Sequence, residues 1–306
     1  MAQKRRGKPM VKKTTVKRKK LQDFTSINAV LSNFAGKPTK YILIFLSSFI
    51  VIFPLYWLIT SSFKQAQDYL AYPPVLFPKR FTIESFSEVF NRDKIAFYLN
   101  NTVIISLITT CITVLAGSMT AYAVGRGPIG KRTRAVFGLW FLVQKMYPAI
   151  ATAIPVYLVM RNLHLMDTLA ALIIMNTSFN LPLVIWLMMG FFEQLPFELE
   201  ESAMLDGCGF ARCFFNIIMP ITKPGLIASA ILTFVATWNE FLFAVILSIK
   251  RSKTLPVVIA GFITDRGLAW GPMAATAVIT LLPVILLVWL VQKDFVNGLA
   301  MGAVKG

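Results

Sequence analysis

The chain has 306 residues, 56% of them hydrophobic, and a formal net charge of +17. Long uncharged runs dominate it, which excludes an ordinary soluble domain. The charge does not mark a nucleic-acid-binding face either. Twelve Lys and Arg against Asp23 give residues 1–40 a net +11, leaving only +6 for everything after them.

Residues 1–40 are polar, poor in aromatics and self-repelling, and are expected to form a disordered basic tail. The tail is too basic, and too long before the first apolar run, for a usual signal peptide. Its charge suits anchoring on the cytoplasmic side, beside anionic lipid headgroups. Residues 41–306 are the expected membrane domain. Six runs in it are long enough to cross a bilayer, which takes about 20 helical residues. The first covers 41–60, and the second lies between Lys94 and Arg126. The third lies between Arg134 and Arg161, with Lys145 inside it. The fourth lies between Asp167 and Glu193, the fifth runs from Lys223 to Lys250 around Glu240, and the sixth lies between Arg266 and Lys293. A backbone facing lipid must satisfy its own hydrogen bonds, so helices are expected. The fold class that follows is all-α: a polytopic membrane protein with six transmembrane helices.

With the tail inside, inner segments carry 20 Lys and Arg and outer segments 10, with Lys145 within a span. The cluster from Arg126 to Arg134 supports that bias independently of the tail. Both termini are therefore expected in the cytoplasm. The outer segment 61–100 contains Tyr72-Pro73-Pro74 and Phe77-Pro78, and a short amphipathic helix is expected around Ile83 to Phe90. That segment is either a surface for an extracellular partner or a structured connector.

Catalytic and cofactor patterns are missing. Gly125-Arg-Gly-Pro-Ile-Gly-Lys131 imitates the start of a phosphate-binding loop, but Arg132 replaces the Ser or Thr that would hold magnesium and Pro128 removes a backbone donor. His164 stands alone, and no G-x-S-x-G or H-E-x-x-H arrangement occurs. Cys111, Cys208 and Cys213 lack metal-type spacing and are expected as free thiols. The chain is thus expected to be neither an enzyme nor a metal binder.

Two ionisable groups lie within spans, where they are costly. Lys145 falls near mid-depth of the third, followed by Pro148, which can kink the helix. It either lines a solute path, favouring anions, or pairs with a neighbouring subunit or snorkels. Glu240 sits in Trp238-Asn239-Glu240-Phe241-Leu242. Asn176, Thr177, Ser178 and Asn180 form a polar band in the fourth span, which either lines a path or bonds neighbouring helices. Lys145, Asn176, Asn180, Asn239 and Glu240 are the candidate pathway residues.

Between the fourth and fifth spans, residues 197–220 form a soluble-looking island. Pro196 suits the first turn of a helix, and Glu198, Glu200 and Glu201 suit its positive end. Gly207 can take the left-handed conformation that stops a helix, with a second helix from Phe210. Residues 201–220 read E-S-A-M-L-D-G-C-G-F-A-R-C-F-F-N-I-I-M-P. They resemble the EAA loop of ABC-type importer permeases, E-A-A-x3-G-x9-I-x-L-P. Glu201, Ala203, Gly207, Ile217 and Pro220 match, while Ser202 replaces Ala and Met219 replaces Leu. From about Lys40 to Gly306 the chain is similar to the carbohydrate-uptake subgroup, in particular the maltose-type inner subunit. The residues that carry this likeness are W-N-E-F-L at 238–242, Tyr147-Pro148, Ile154-Pro-Val-Tyr-Leu158 and the ending N-G-L-A-M-G-A-V-K-G. Lys145 stands where that pattern has a neutral residue.

The resemblance implies a permease subunit of an ATP-driven carbohydrate importer, the solute being an oligosaccharide, in the bacterial cytoplasmic (inner) membrane. A second homologous permease (in a heterodimer), two ATPase subunits and an extracellular solute-binding protein are the implied partners. ATP and Mg would be bound on the ATPases and no cofactor on this chain. Glu201, Ser202, Ala203, Asp206, Gly207, Ile217 and Pro220 would couple the chain to an ATPase, with residues 302–306 reaching the same interface. Import of an anionic saccharide or sugar phosphate, and stand-alone secondary transport, are the alternatives.

Overall fold

The computed structural model describes residues 37–91, 93–264 and 267–303. The chain divides into two compact units, Met1–Trp57 and Leu58–Gly306. In the first, the described residues belong to helix α1 (Lys37–Ser62), which runs on into the second. Residues 37–40 of the expected tail are therefore helical, and the rest of the tail lies outside the described residues. Phe45, Phe49 and Phe53 line up at i,i+4 spacing, with ring centroids 6.5 and 5.6 Å apart.

The second unit continues with α2 (Glu84–Asn91), the amphipathic helix expected near Ile83, and α3 (Ile95–Arg126). After these come α4 (Lys131–Met146), α5 (Ala153–Asn162) and α6 (Leu169–Phe192). The 197–220 island holds α7 (Glu198–Leu205) and α8 (Phe210–Ile221), the latter with a π-turn at Phe214–Ile218. Then follow α9 (Lys223–Trp238), α10 (Leu242–Leu247), α11 (Leu255–Ala260) and α12 (Trp270–Ala303). A two-residue hairpin, β1 (Ile263–Thr264) against β2 (Gly267–Leu268), is the one departure from all-α structure among the described residues.

Among the described residues, four helices are long and apolar enough to cross a membrane alone: Thr39–Ser62, Ile95–Arg126, Leu169–Phe192 and Trp270–Gln292. Two bent pairs bring the number to six if each is one span. Two sequence expectations need correction here. The third run is not one helix with a kink but α4 and α5 set at 84° across Tyr147 and Pro148. Proline cannot donate a backbone hydrogen bond, and its ring disfavours the helical conformation of the residue before it; Tyr147 accordingly has ψ 129°. The fifth run likewise breaks at Asn239–Phe241, and its first part, α9, meets α8 at 81°.

α3 shows how the bundle closes. Its buried face carries Ser106, Thr109, Thr113, Gly117, Ser118 and Ala121, while Leu107, Ile108, Ile112, Leu115 and Met119 point outward. Lipid solvates Leu as well as a protein core does, so small residues that let backbones approach go inside. A Cβ on Gly117 would stand 2.7 Å from Val184 Cγ1 of α6. One core cluster gathers Tyr122, Met188, Phe192, Ala203, Phe214 and Ile218 from α3, α6, α7 and α8. A second, at the opposite end of α6, joins Ile105, Met160, Leu172, Phe243 and Leu247. A third packs Val89, Ile95, Trp238, Leu255 and Ala275 together.

Candidate functional site

α7 has eight residues, too few to be stable alone in water, so its ends and its inner face decide its position. It starts at Glu198, leaving Pro196 two residues ahead of the helix rather than in its first turn. At its end Gly207 has φ +80°, its N–H donates to Met204 O (3.0 Å), and Cys208 N–H donates to Ala203 O (2.9 Å). This is a Schellman stop, with both orphan carbonyls satisfied. The chain then turns into α8, as expected from Phe210.

Successive helix residues are about 100° apart, so the island's acids divide. Glu201 and Ser202 are exposed, alongside Met204 and Leu205, the latter 89% exposed. Ala203 is buried, and Ile217 packs against the same cluster. Asp206 and Ile217 border a notch of about 270 Å3 together with Ala203, Cys208, Arg212 and Asn216, while Pro220 is exposed. Of the coupling candidates, Glu201 and Ser202 thus face outward on a helix with a fixed stop, whereas Ala203 and Ile217 pack inward.

Glu200 turns the other way and is 5% exposed. Its Oε1 lies 3.4 Å from Nε of Arg126, the last residue of α3. The Tyr122 hydroxyl, one turn earlier on α3, donates to Glu200 Oε2 (3.2 Å). Arg126 Nη2 also donates to the carbonyl oxygens of Phe192 and Leu195 at the end of α6, the second at 2.5 Å. The guanidinium rests on the Phe197 ring, 4.1 Å from its centroid. Sequence reasoning missed this constellation and counted Arg126 only as an inner positive charge. A signal was present, because Ala203 lies three residues after Glu200 and marks that side of α7 as the buried one.

Three of the five pathway candidates, Lys145, Asn176 and Asn180, meet on α6. Lys145 Nζ donates to Phe179 O (3.3 Å) and Asn180 Oδ1 (3.4 Å). Asn180 Nδ2 donates to Asn176 O (2.9 Å) and Thr237 Oγ1 (3.4 Å), and Asn176 Nδ2 to Leu172 O (2.9 Å). Asn180 therefore joins α4, α6 and α9. Beside it a groove of about 400 Å3 runs between Trp140, Gln144 and Tyr147 on one side and Ser178, Phe179 and Pro182 on the other. Asn239 bonds back to Val235 O (2.8 Å) and is exposed. Glu240 accepts from the N–H groups of Phe243 (2.7 Å) and Ala244 (3.0 Å), so its carboxylate caps α10 in the break after α9. No ion pair joins Lys145 to Glu240.

At the end remote from α7 lies Asp167, the charge that precedes α6. Its carboxylate accepts backbone N–H bonds from Ile249, Lys250, Arg251 and Ser252 at 2.9–3.1 Å. Asn101 Nδ2 holds Arg251 O and Lys253 O in the same loop, and Thr102 Oγ1 receives the Leu255 N–H. Burial acts to raise the Asp167 carboxyl, but the four N–H groups outweigh it and hold the carboxyl far below the usual carboxylate range. A depressed carboxyl stabilises the fold above its unfolded value, about pH 3.9, and that contribution disappears as pH falls through the folded value. Asp167→Asn is expected to lose about 1 kcal/mol after allowance for its partial exposure. That corresponds to about 2–4 °C in unfolding midpoint at pH 7. The gap should persist down to about pH 4 and close in more acid solution, as measured by thermal unfolding in detergent. A gap independent of pH to well below 4 contradicts the assignment.

The family described as binding-protein-dependent transport system inner membrane component matches residues 113–293. The probable ABC transporter permease protein y4oR of Sinorhizobium fredii is 35% identical over 258 residues, 84% of this chain and 92% of that protein. The trehalose/maltose transport system permease protein MalG of Thermococcus litoralis is 34% identical over 265 residues, 85% and 94% of the two chains. The sulfoquinovosyl glycerol transport system permease protein SmoH of Agrobacterium fabrum is 30% identical over 276 residues, 90% and 96%. Among solved structures, a chain of a bacterial ABC transporter involved in the import of the acidic polysaccharide alginate superposes with a TM-score of 0.71. It covers 94% of this chain and 100% of that one at 21% identity, a likeness of fold alone.

Proposed function

We infer, from the premise that this chain belongs to the family of binding-protein-dependent transport-system inner-membrane components, that it is the permease of a carbohydrate importer and that an oligosaccharide is its solute. It is a multi-pass subunit of an ATP-driven ABC importer, and ATP hydrolysis resides on separate subunits. One observation supports carbohydrate as the solute class. The trehalose/maltose and sulfoquinovosyl glycerol permeases match this chain along 85% and 90% of its length, at 34% and 30% identity.

The partner permease is a different chain, giving a heterodimer, with two ATPases on one face and a solute-binding protein on the other. Both termini lie in the cytoplasm, as the Lys and Arg distribution favours. The exposed Glu201, Ser202 and Leu205 of α7 dock on an ATPase, and Asp206, Gly207, Ile217 and Pro220 hold the turn and helix that follow. The Lys145–Asn180–Thr237 chain and the groove beside Tyr147 border the solute path, with Asn239 and Glu240 in the nearby break. ATP-driven closure then shifts the spans between two states.

Reconstitution in vesicles tests this reading, with a saccharide first chosen by thermal shift of the co-encoded binding protein. Uptake is expected only with both permeases, the ATPases, the binding protein and ATP. Uptake by this chain alone under an ion gradient would sink it in favour of secondary transport.

A further inference from the structure

α7 is joined to the spans through short turns, through Ala203, and through one buried polar contact. That contact deserves a role beyond cohesion. Side chains at Arg126 and Glu200 are 1% and 6% exposed, so both charges are largely withdrawn from solvent. Arg126 Nη1 is buried there without a hydrogen-bond acceptor. A buried ion pair of this kind adds little net stability over apolar packing of the same volume. What it supplies is a fixed relative position, because a guanidinium fork meets its acceptors in one plane.

The donors and acceptors of this contact belong to three separate elements. Arg126 and Tyr122 stand one turn apart on the last part of α3. The carbonyl groups of Phe192 and Leu195 lie at the end of α6 and just beyond it, and Glu200 is on α7. The aromatic surround tightens the same joint. The Tyr122 ring lies 5.7 Å from Phe192 of α6, and 4.5 and 5.0 Å from Phe210 and Phe214 of α8. The whole joint sits on the inner face of α7, while Glu201, Ser202 and Leu205 occupy the outer face. The two faces of one short helix therefore separate docking from transmission.

We propose that Arg126, Glu200 and Tyr122 are positioning residues for energy coupling, locking α7 to the ends of α3 and α6 so that the three move as one body. A push received on the outer face of α7 is thereby passed to two spans rather than absorbed by the hinges beside it. Weakening the joint lets α7 follow the ATPase while the spans lag, so ATP is spent without solute movement. The proposal rests on reading α7 as the ATPase-docking helix.

The test uses the complete importer in proteoliposomes with ATP and its saccharide. Two readouts are taken, cross-linking of Ser202→Cys to the ATPase and the number of saccharides imported per ATP hydrolysed. Glu200→Gln should leave the cross-link and basal hydrolysis within about twofold of the parent, yet lower saccharides per ATP by at least about fivefold, the low end of usual coupling between sites. Arg126→Lys keeps the charge but cannot reach Glu200 and both carbonyl groups at once, and should fall between Glu200→Gln and the parent. An unchanged ratio in Glu200→Gln with the cross-link intact overturns the proposal. If Glu200→Gln does not assemble, Arg126→Lys is read the same way, and an unchanged ratio there overturns it equally. Absence of the cross-link in the parent instead defeats the docking reading of α7.

Discussion

Uptake by the Gly207→Pro variant is expected to fall at least about tenfold, equivalent to about 1.4 kcal/mol on the rate, while the separate binding protein holds its saccharide as before. Gly207 sits at φ +80°, and proline is confined near −65°. The substitution also removes the N–H that donates to Met204 O. The Schellman stop therefore cannot form, and the chain leaves α7 in another direction, carrying α8 and the exposed face of α7 with it. Graded variants separate this cause from general damage. Asn tolerates the left-handed region and should stay close to the parent, whereas Ala should fall between, at a cost of about 1–2 kcal/mol. Labelled-saccharide uptake at matched membrane expression is the measurement. Parental uptake in Gly207→Pro would remove the geometric stop from the account of coupling.

The Gly225→Ala variant is expected to be destabilised by about 1–3 kcal/mol through overpacking, or about 2–4 °C in unfolding midpoint for each kcal/mol. A Cβ there would stand 2.6, 2.7 and 2.9 Å from three atoms of the Phe191 ring, including the ring carbon nearest its backbone. Phe191 is 7% exposed and belongs to the cluster around Tyr122 and Phe214. α9 must then shift away from α6, or the ring must leave its pocket. Phe191→Ala removes all three of those atoms, so in the double variant Gly225→Ala should cost at most half as much as in the parent. Additive losses in the double variant would place the cost of Gly225→Ala elsewhere.

Much of the fold was legible in one dimension. The boundaries at Ile95, Arg126, Leu169 and Phe192 lie where charges bracket apolar runs, because solvation by lipid acts on a segment before any packing. Gly207 and Phe210 were also readable, since a left-handed stop is a local backbone demand. The break at Asn239–Phe241 was not, because Trp, Phe and Leu on either side keep the segment apolar whether or not the helix continues. Pro148 announced a disturbance, but the 84° between α4 and α5 depends on what each half packs against. Asp167 looked like a boundary charge because its four N–H partners lie more than eighty residues away.

By itself, the sequence determined that this chain crosses a membrane several times and carries a helix–stop–helix island between its spans. Only the tertiary structure decided which acid of that island is a surface group and which an anchor. Glu200 and Glu201 are identical in chemistry and adjacent in sequence. About 100° of helical rotation separates them, and the direction of the rotation's origin is set by Ala203 packing into the bundle and by an arginine seventy-four residues earlier. Local propensity fixes that α7 is a helix, but a helix has no inside until something is packed against it.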